Sequence, residues 1–325
     1  MKTISFNKAG NPIEVLEVEE KPIPTPGEKE LLIKMIASPI NPSDGLFIEG
    51  VYRLRPEFPH QTAGLEGTGI VEKAGRHTNM IKGTLVAFFY KNAWSEYVIV
   101  PENKLIALPG DFPIDKAAQF CLNPFTAWGL LECANANAGD WLLITAGNSG
   151  VSRIAIQLAK RKNIKVITSV RDIKQAESLY ALGADAVLDS EAADFSEQVS
   201  TITSKKGVNI AFEAVGGKIG DKVVQSLAPF GRMMIYGLLT NEATSFFNSQ
   251  LLYKYLTISG FGIRAFLANQ GAQQRREMID TLITEIRGSS LKLPIVNEFA
   301  FGEFKEAWTA YLEKGAQSKI VFKIS

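Results

Sequence analysis

The feature that most constrains this chain of 325 residues is a regular alternation running from Trp141 to Phe261. Short apolar runs recur at Trp141–Ala146, Lys165–Val170, Ala186–Asp189, Asn209–Val215, Arg232–Gly237 and Thr257–Phe261, most of them separated by helical patterns. After the first run, Val151, Ile154, Ala155, Leu158 and Ala159 fall at i, i+3, i+4, i+7 and i+8, which is one face of a helix. Lys218–Leu227 reads as the helix of a later unit, with Pro229 and Gly231 marking the turn behind it. Short apolar strands alternating with helices predict a doubly wound, parallel α/β sheet.

The flanking regions have another character. Lys21-Pro-Ile-Pro-Thr-Pro-Gly27 punctuates the chain before the strand-like Glu30–Ala37, and further short apolar runs follow at Thr68–Glu72, Leu85–Tyr90 and Trp94–Val100. That pattern suits a small, irregular antiparallel barrel or sheet. Helices are expected at Asp115–Phe120, Phe125–Glu132, Gln273–Arg287 and Phe304–Lys314, and a strand at Ile320–Ile324. The tail is too short to fold alone, so it is expected to pack on the amino-terminal domain. The length suits about two domains: a discontinuous one from 1–117 and 265–325, and an α/β one over 118–264.

The first strand of the alternation runs into Ala146-Gly-Asn-Ser-Gly-Val-Ser152 and then a helix. Glycines in such a turn let the backbone approach a pyrophosphate seated on the positive helix end. Gly147 and Gly150 supply that role, Ser149 can add a hydroxyl, and Asn148 and Val151 complete the cradle. Ser152 stands where the fingerprint's last small residue would be Gly. The second strand ends in Ser169-Val-Arg-Asp172. Ser169 and Arg171 can hold a ribose 2′-phosphate, Arg171 through its planar donor fork. Asp172 can instead accept from a 2′-hydroxyl, or cap the helix beginning at Ile173. NADPH is the expected cofactor. Gly237, Leu238 and Phe261 fall at carboxyl ends of late strands, where ligands of open α/β sheets sit. Phe261 is a candidate wall of the substrate pocket.

Composition excludes several classes. With 35 basic and 34 acidic residues the formal net charge is +1, so nothing calls for nucleic acid or an anionic membrane. No apolar stretch approaches the roughly 20 residues of a membrane span, and Met1–Phe6 lacks the apolar core of a signal peptide. A cytoplasmic location is the expectation. Cys121 and Cys133 are the only cysteines, which is neither a disulfide framework nor zinc-ligand spacing. His60 and His77 read as polar loop residues, and Lys160-Arg-Lys162 as a solvated helix end complementing the dipole.

Ser38-Pro-Ile-Asn-Pro-Ser-Asp44, Gly50-Val-Tyr52, Gly64-Leu-Glu-Gly67, Asn123-Pro-Phe-Thr-Ala127, Gly139-Asp-Trp141 and Ala146–Val151 together resemble the medium-chain dehydrogenase/reductase superfamily, from Gly10 to Ser318-Lys-Ile-Val321. The resemblance is closest to mitochondrial-type 2-enoyl thioester reductases, with quinone oxidoreductases of the zeta-crystallin type as near neighbours. It implies a Rossmann domain inserted in a GroES-like, β-rich catalytic domain. Zinc-dependent relatives place Cys and His where this chain has Asn41 and Leu65, neither of which replaces those ligands. No metal is therefore expected, and metal-free hydride addition to an activated double bond is the implied chemistry.

The same resemblance implies site roles. Tyr52 is the candidate donor to the acceptor oxygen or source of the final proton. Asn41 would lie near the nicotinamide or the substrate carbonyl, with an Asx-turn before Pro42 as its plainer role. Thr126 would face the nicotinamide carboxamide, or merely cap its helix. Asp44 reads as a fold-holding acid. Enoyl thioester reduction is the first expectation; quinone or enone reduction with the same apparatus is the second. A catalytically idle NADPH-binding sensor is the alternative from another class. Homodimerisation through Thr257–Phe261 is implied as well.

Overall fold

The computed structural model describes residues 1–314 and 318–324. The chain forms two compact units, one from Met1–Leu122, Ile286–Gly288 and Pro294–Ser325, the other from Asn123–Glu285 and Ser289–Leu293.

The second unit opens with α1 (Asn123–Ala134) and continues through β1 (Trp141–Ile144), α2 (Gly150–Arg161), β2 (Lys165–Val170), α3 (Ala176–Tyr180) and β3 (Ala186–Asp189). It goes on with α4 (Phe195–Ile202), β4 (Val208–Glu213), α5 (Gly217–Ser226), β5 (Leu227–Ile235) and β6 (Thr257–Gly260). All six strands pair in parallel, in the order β3-β2-β1-β4-β5-β6. This is the doubly wound order, which reverses between β1 and β4 and so opens a crevice at their carboxyl ends.

Central β1 explains the unbroken apolar runs: Leu142, Leu143 and Ile144 are each 0% exposed. Helices cover both faces of such a sheet, so its inner strand positions are filled mainly by apolar residues. Each of these side chains contributes about 1.5–3 kcal/mol by leaving water. On α2 the expected face is buried at Ile154, Ala155, Leu158 and Ala159, with Val151 half-buried at its edge. Strand β5 departs from expectation. It runs from Leu227 through Pro229 and Gly231 instead of starting after a turn, and a register shift opposite Val208 and Ile210 absorbs the extra residues.

The segment after β6 also differs from the boundary expected at 264. Residues up to Glu285 belong to this unit. Phe266 lies 5.9 Å from Phe261, and both rings close on Gly129 of α1, where a Cβ would come within 2.8 Å of each. Glu285 pairs with Arg161 of α2, and the Gln157 side chain bridges to the backbone of Lys292 at 2.8 Å. Sequence distance from the sheet says nothing of such contacts.

The first unit holds a seven-stranded sheet and a three-stranded one. Its larger sheet runs Val296–Ala300, Lys319–Lys323, Glu30–Pro39, Glu66–Ala74, Leu85–Phe89 and Leu105–Ala107, with Tyr97–Pro101 also on Glu30–Pro39. The pairs are antiparallel except the first, which is parallel. The helix Phe304–Lys314 between those two strands supplies the crossover that parallel pairing needs. Trp94, fully buried, meets Phe322 at 5.0 Å and Trp308 at 6.2 Å in edge-on contacts that anchor the core.

Candidate functional site

The turn after β1 is tightly constrained. Ala146 adopts φ 50°, and a Cβ on Gly147 would lie 2.4 Å from Thr168 Oγ1, so the second position admits only glycine. The Gly147 N–H donates to the Ser169 carbonyl at 2.8 Å, pinning the turn to β2. Ser149 caps α2, its Oγ accepting from the Ser152 N–H at 3.2 Å. The N–H groups of Gly150 and Val151, at the first helical positions, have no intrahelical acceptor. They give an anion the donors and dipole end it needs, so a pyrophosphate fits here.

The missing last glycine has a structural answer. Ser152 is fully buried, and its Oγ donates to the Thr145 carbonyl at 3.0 Å, receives the Ser149 hydroxyl at 2.8 Å and lies 3.2 Å from Tyr236 Oη. The hydroxyl is thus satisfied from three sides behind the turn. Ser149, expected to offer its hydroxyl outward, spends it on Ser152. Burial raises the Tyr236 phenol above its ordinary pKa, only partly offset by Ser152 and Ser149. Beside it Glu213, 1% exposed at the end of β4, accepts through Oε1 from the N–H groups of Val215 at 2.7 Å and Gly216 at 2.9 Å.

At the ribose-reading end, Arg171 is exposed just beyond β2. Asp172 caps the short 3-10 turn Ile173–Gln175, its Oδ1 accepting from the Lys174 N–H at 3.0 Å. The cap is one of the two roles expected of it. Ser169 lies inside β2 at 1% exposure, with its hydroxyl enclosed; its carbonyl, not its hydroxyl, serves the turn. Asn148 donates to the Gln175 side chain.

Thr126 sits one turn inside α1, 7% exposed, so it is not the helix cap. Gly237 packs directly on Ala214, whose carbonyl would lie 2.7 Å from an added Cβ, while the neighbouring Leu238 is exposed. Phe261 is half-buried, its ring against Gly129 and Phe266.

Tyr52 and Asn41 belong to the first unit. Tyr52 follows the helix Pro42–Ile48, its N–H donating to the Leu46 carbonyl at 2.9 Å, and its half-buried ring packs on the core that contains Phe47, Trp94 and Trp308. Asn41 is 0% exposed and belongs to a buried charge cluster. Its Oδ1 accepts from Lys319 Nζ, and its Nδ2 donates to Glu66 Oε2 at 3.0 Å. Glu66 Oε1 in turn accepts from the N–H groups of Cys121 at 2.9 Å and Leu122 at 2.7 Å. The Asn41 N–H donates to Asp44 Oδ2 at 2.7 Å, one half of a capping box.

Two carboxyl groups here share one ammonium. Burial pushes Asp44 up to about 7, with hydrogen bonding from Asn41 and the charge of Lys319 opposing it. Burial likewise raises Glu66 and lowers Lys319. Sequence reading left Glu66 and Lys319 without a role, although each is a lone charge in an otherwise apolar or small-residue strand start.

Known proteins share this architecture. A family model described as the alcohol dehydrogenase GroES-like domain matches residues 27–110, and one described as zinc-binding dehydrogenase matches 150–283. The mitochondrial enoyl-[acyl-carrier-protein] reductase of Xenopus tropicalis is 31% identical over 313 residues, covering 93% of this chain and 89% of that protein. A crystal structure of a putative NADPH:quinone reductase from Bacillus thuringiensis superposes with TM-score 0.93 at 29% identity, covering 100% and 99% of the two chains. A mycobacterial protein solved in complex with NADPH gives TM-score 0.90 at 25% identity, with 100% of both chains covered.

Proposed function

Because the chain belongs to the zinc-independent branch of the medium-chain dehydrogenase/reductase superfamily, we propose that it is an NADPH-dependent reductase of α,β-unsaturated thioesters. The observation that carries this reading is the 31% identity, across 93% of the chain, to an enoyl-[acyl-carrier-protein] reductase. The coarser class, an oxidoreductase of this superfamily, does not depend on that choice of substrate.

When bound, NADPH supplies a hydride to the β-carbon of the acceptor. The backbone at Gly147–Val151 would seat the pyrophosphate and Arg171 would face the 2′-phosphate, with Asp172 Oδ1 already holding its cap. Thr126 and the Gly237–Leu238 turn would line the nicotinamide end, and Phe261 would wall the acceptor. As the π pair moves toward the thioester oxygen, the Tyr52 hydroxyl donates to it and then delivers a proton to the α-carbon. Asn41, enclosed with Lys319 and Glu66, acts as a positioning residue that holds the start of the helix leading to Tyr52.

A second reading, quinone or enone reduction, is favoured by the likeness to the Bacillus NADPH:quinone reductase. A substrate panel separates the two: a crotonyl thioester, 1,4-benzoquinone and an alkenal, each with NADPH. Turnover of the quinone without the thioester would overturn the first reading.

We also place a second copy of this chain along β6. That strand ends the sheet, and Leu252, Tyr253 and Tyr255 beside it are 65%, 76% and 64% exposed. A monomer mass in analytical ultracentrifugation would rule this out. Two cysteines not joined in a disulfide suit a reducing compartment such as the cytoplasm.

A further inference from the structure

The half-buried cation Arg153 has no role in the site so far. It lies in the first turn of α2, one helical turn beyond Ser149. Its guanidinium does not point back along the phosphate turn. It reaches across to α3, where Nη1 donates to Ser178 Oγ at 3.1 Å. Asn148 makes a parallel reach onto Gln175. Both side chains therefore lean on the segment that follows β2. In doubly wound nucleotide domains that segment reads the ribose 2′ position.

Among the described residues no carboxylate lies within ion-pair distance of Arg153. The one acid close in sequence to the loop's start, Asp172, spends its carboxylate on the Lys174 N–H. A guanidinium has five N–H donors in a planar fork, and Ser178 takes one. Burial also works against its charge. A cation taken partly out of water without a counter-charge is costly, and a dianionic phosphate is the group that relieves it.

We propose that Arg153 is a second specificity-determining residue for the adenosine 2′-phosphate, acting from α2 opposite Arg171 of the loop. Ser178 holds the guanidinium in place before the ligand arrives, so less side-chain freedom is lost on binding. Arg171 is exposed and sits beyond the strand end, free to close on the phosphate from the solvent side. Two guanidinium groups on different elements make the selection for NADPH over NADH steeper than Arg171 alone. The inference rests on NADPH being the cofactor, and it concerns binding, not turnover.

The test is direct binding to the cofactor-free protein. Cofactor fluorescence gives dissociation constants for NADPH and NADH, and calorimetry gives them for 2′,5′-ADP and 5′-AMP as minimal probes. Arg153→Gln is expected to weaken NADPH and 2′,5′-ADP about tenfold or more, as loss of a charge-assisted hydrogen bond does. NADH and 5′-AMP should stay within about twofold, which also shows that the variant is folded. Ser178→Ala should move NADPH in the same direction by a smaller factor. An unchanged NADPH-to-NADH ratio in Arg153→Gln overturns the proposal. If Arg171→Gln meanwhile erases the preference, the NADPH reading survives and Arg153 is a packing residue. A wild-type protein with no preference overturns both.

Discussion

The polar cluster enclosed in the first unit is made of charges, whereas the one behind the nucleotide-type turn is made mainly of hydroxyls. In the first, Asp44 and Glu66 face one ammonium, Lys319, with Asn41 bonded to all three. In the second, Thr145, Ser149, Ser152 and Tyr236 exchange neutral hydrogen bonds, and the neighbouring carboxylate of Glu213 is held by backbone N–H groups. Buried charges in a low-dielectric interior are costly unless every partner is present. Neutral hydroxyls can lose a member and lose little. The first cluster should therefore be brittle and pH-sensitive, and the second tolerant.

Lys319→Met tests the brittle side hardest. It leaves two buried carboxyl groups without a cation, and removing one partner of such a pair costs about 3–5 kcal/mol. The midpoint of urea unfolding should fall accordingly; an unchanged midpoint means that solvent reaches the cluster. The next largest effect is on catalysis. Tyr52→Phe keeps the ring on its core and removes the proton, so kcat should fall about a hundredfold, with NADPH affinity unchanged. Full activity in that variant makes Tyr52 a packing residue.

The pH dependence is of intermediate size. Asp44 is raised by burial from its ordinary 3.8 to about 7, so between those values the folded protein binds more protons than the unfolded chain. Its contribution makes stability fall as pH rises through that window, by at most about 1.4 kcal/mol per pH unit for one proton. Asp44→Asn, which keeps an oxygen for the Asn41 N–H, should flatten the fall. A slope identical to wild type assigns the titration to another group. Smallest is Tyr236→Phe, which removes one of three partners of the Ser152 hydroxyl and should cost about 0.5–1.5 kcal/mol in thermal unfolding. A loss as large as that of Lys319→Met would erase the contrast between the clusters.

How legible each part was follows from the range of the forces that make it. The inner strands β1, β2 and β4 were readable because burial on both faces leaves a local mark, a run of mainly apolar residues four to six long. The exception, β5, was misjudged at its start because Pro229 and Gly231 signal a turn locally, while pairing with β4 holds the chain extended there. Gly147 could be named from its motif, since a glycine at a turn before a helix has few other uses. The hydrogen bonds of Ser149 and Asp172 and the enclosure of the Ser169 hydroxyl within β2 could not. Each carries a group that suits a ligand, and only the neighbours decide whether it is engaged or walled in.

By itself the sequence determined the alternation of strand and helix, the glycine turn, the missing zinc ligands and the family. Those depend on residue type and near spacing. Tertiary structure decided the rest. It drew residues up to Glu285 into the second unit through contacts on α1 and α2. It brought Asn41, Glu66 and Lys319 together from three distant stretches of chain. It also turned Arg153 away from the phosphate turn and onto Ser178. Side-chain partners are chosen by distance in space, and a linear pattern does not carry that distance.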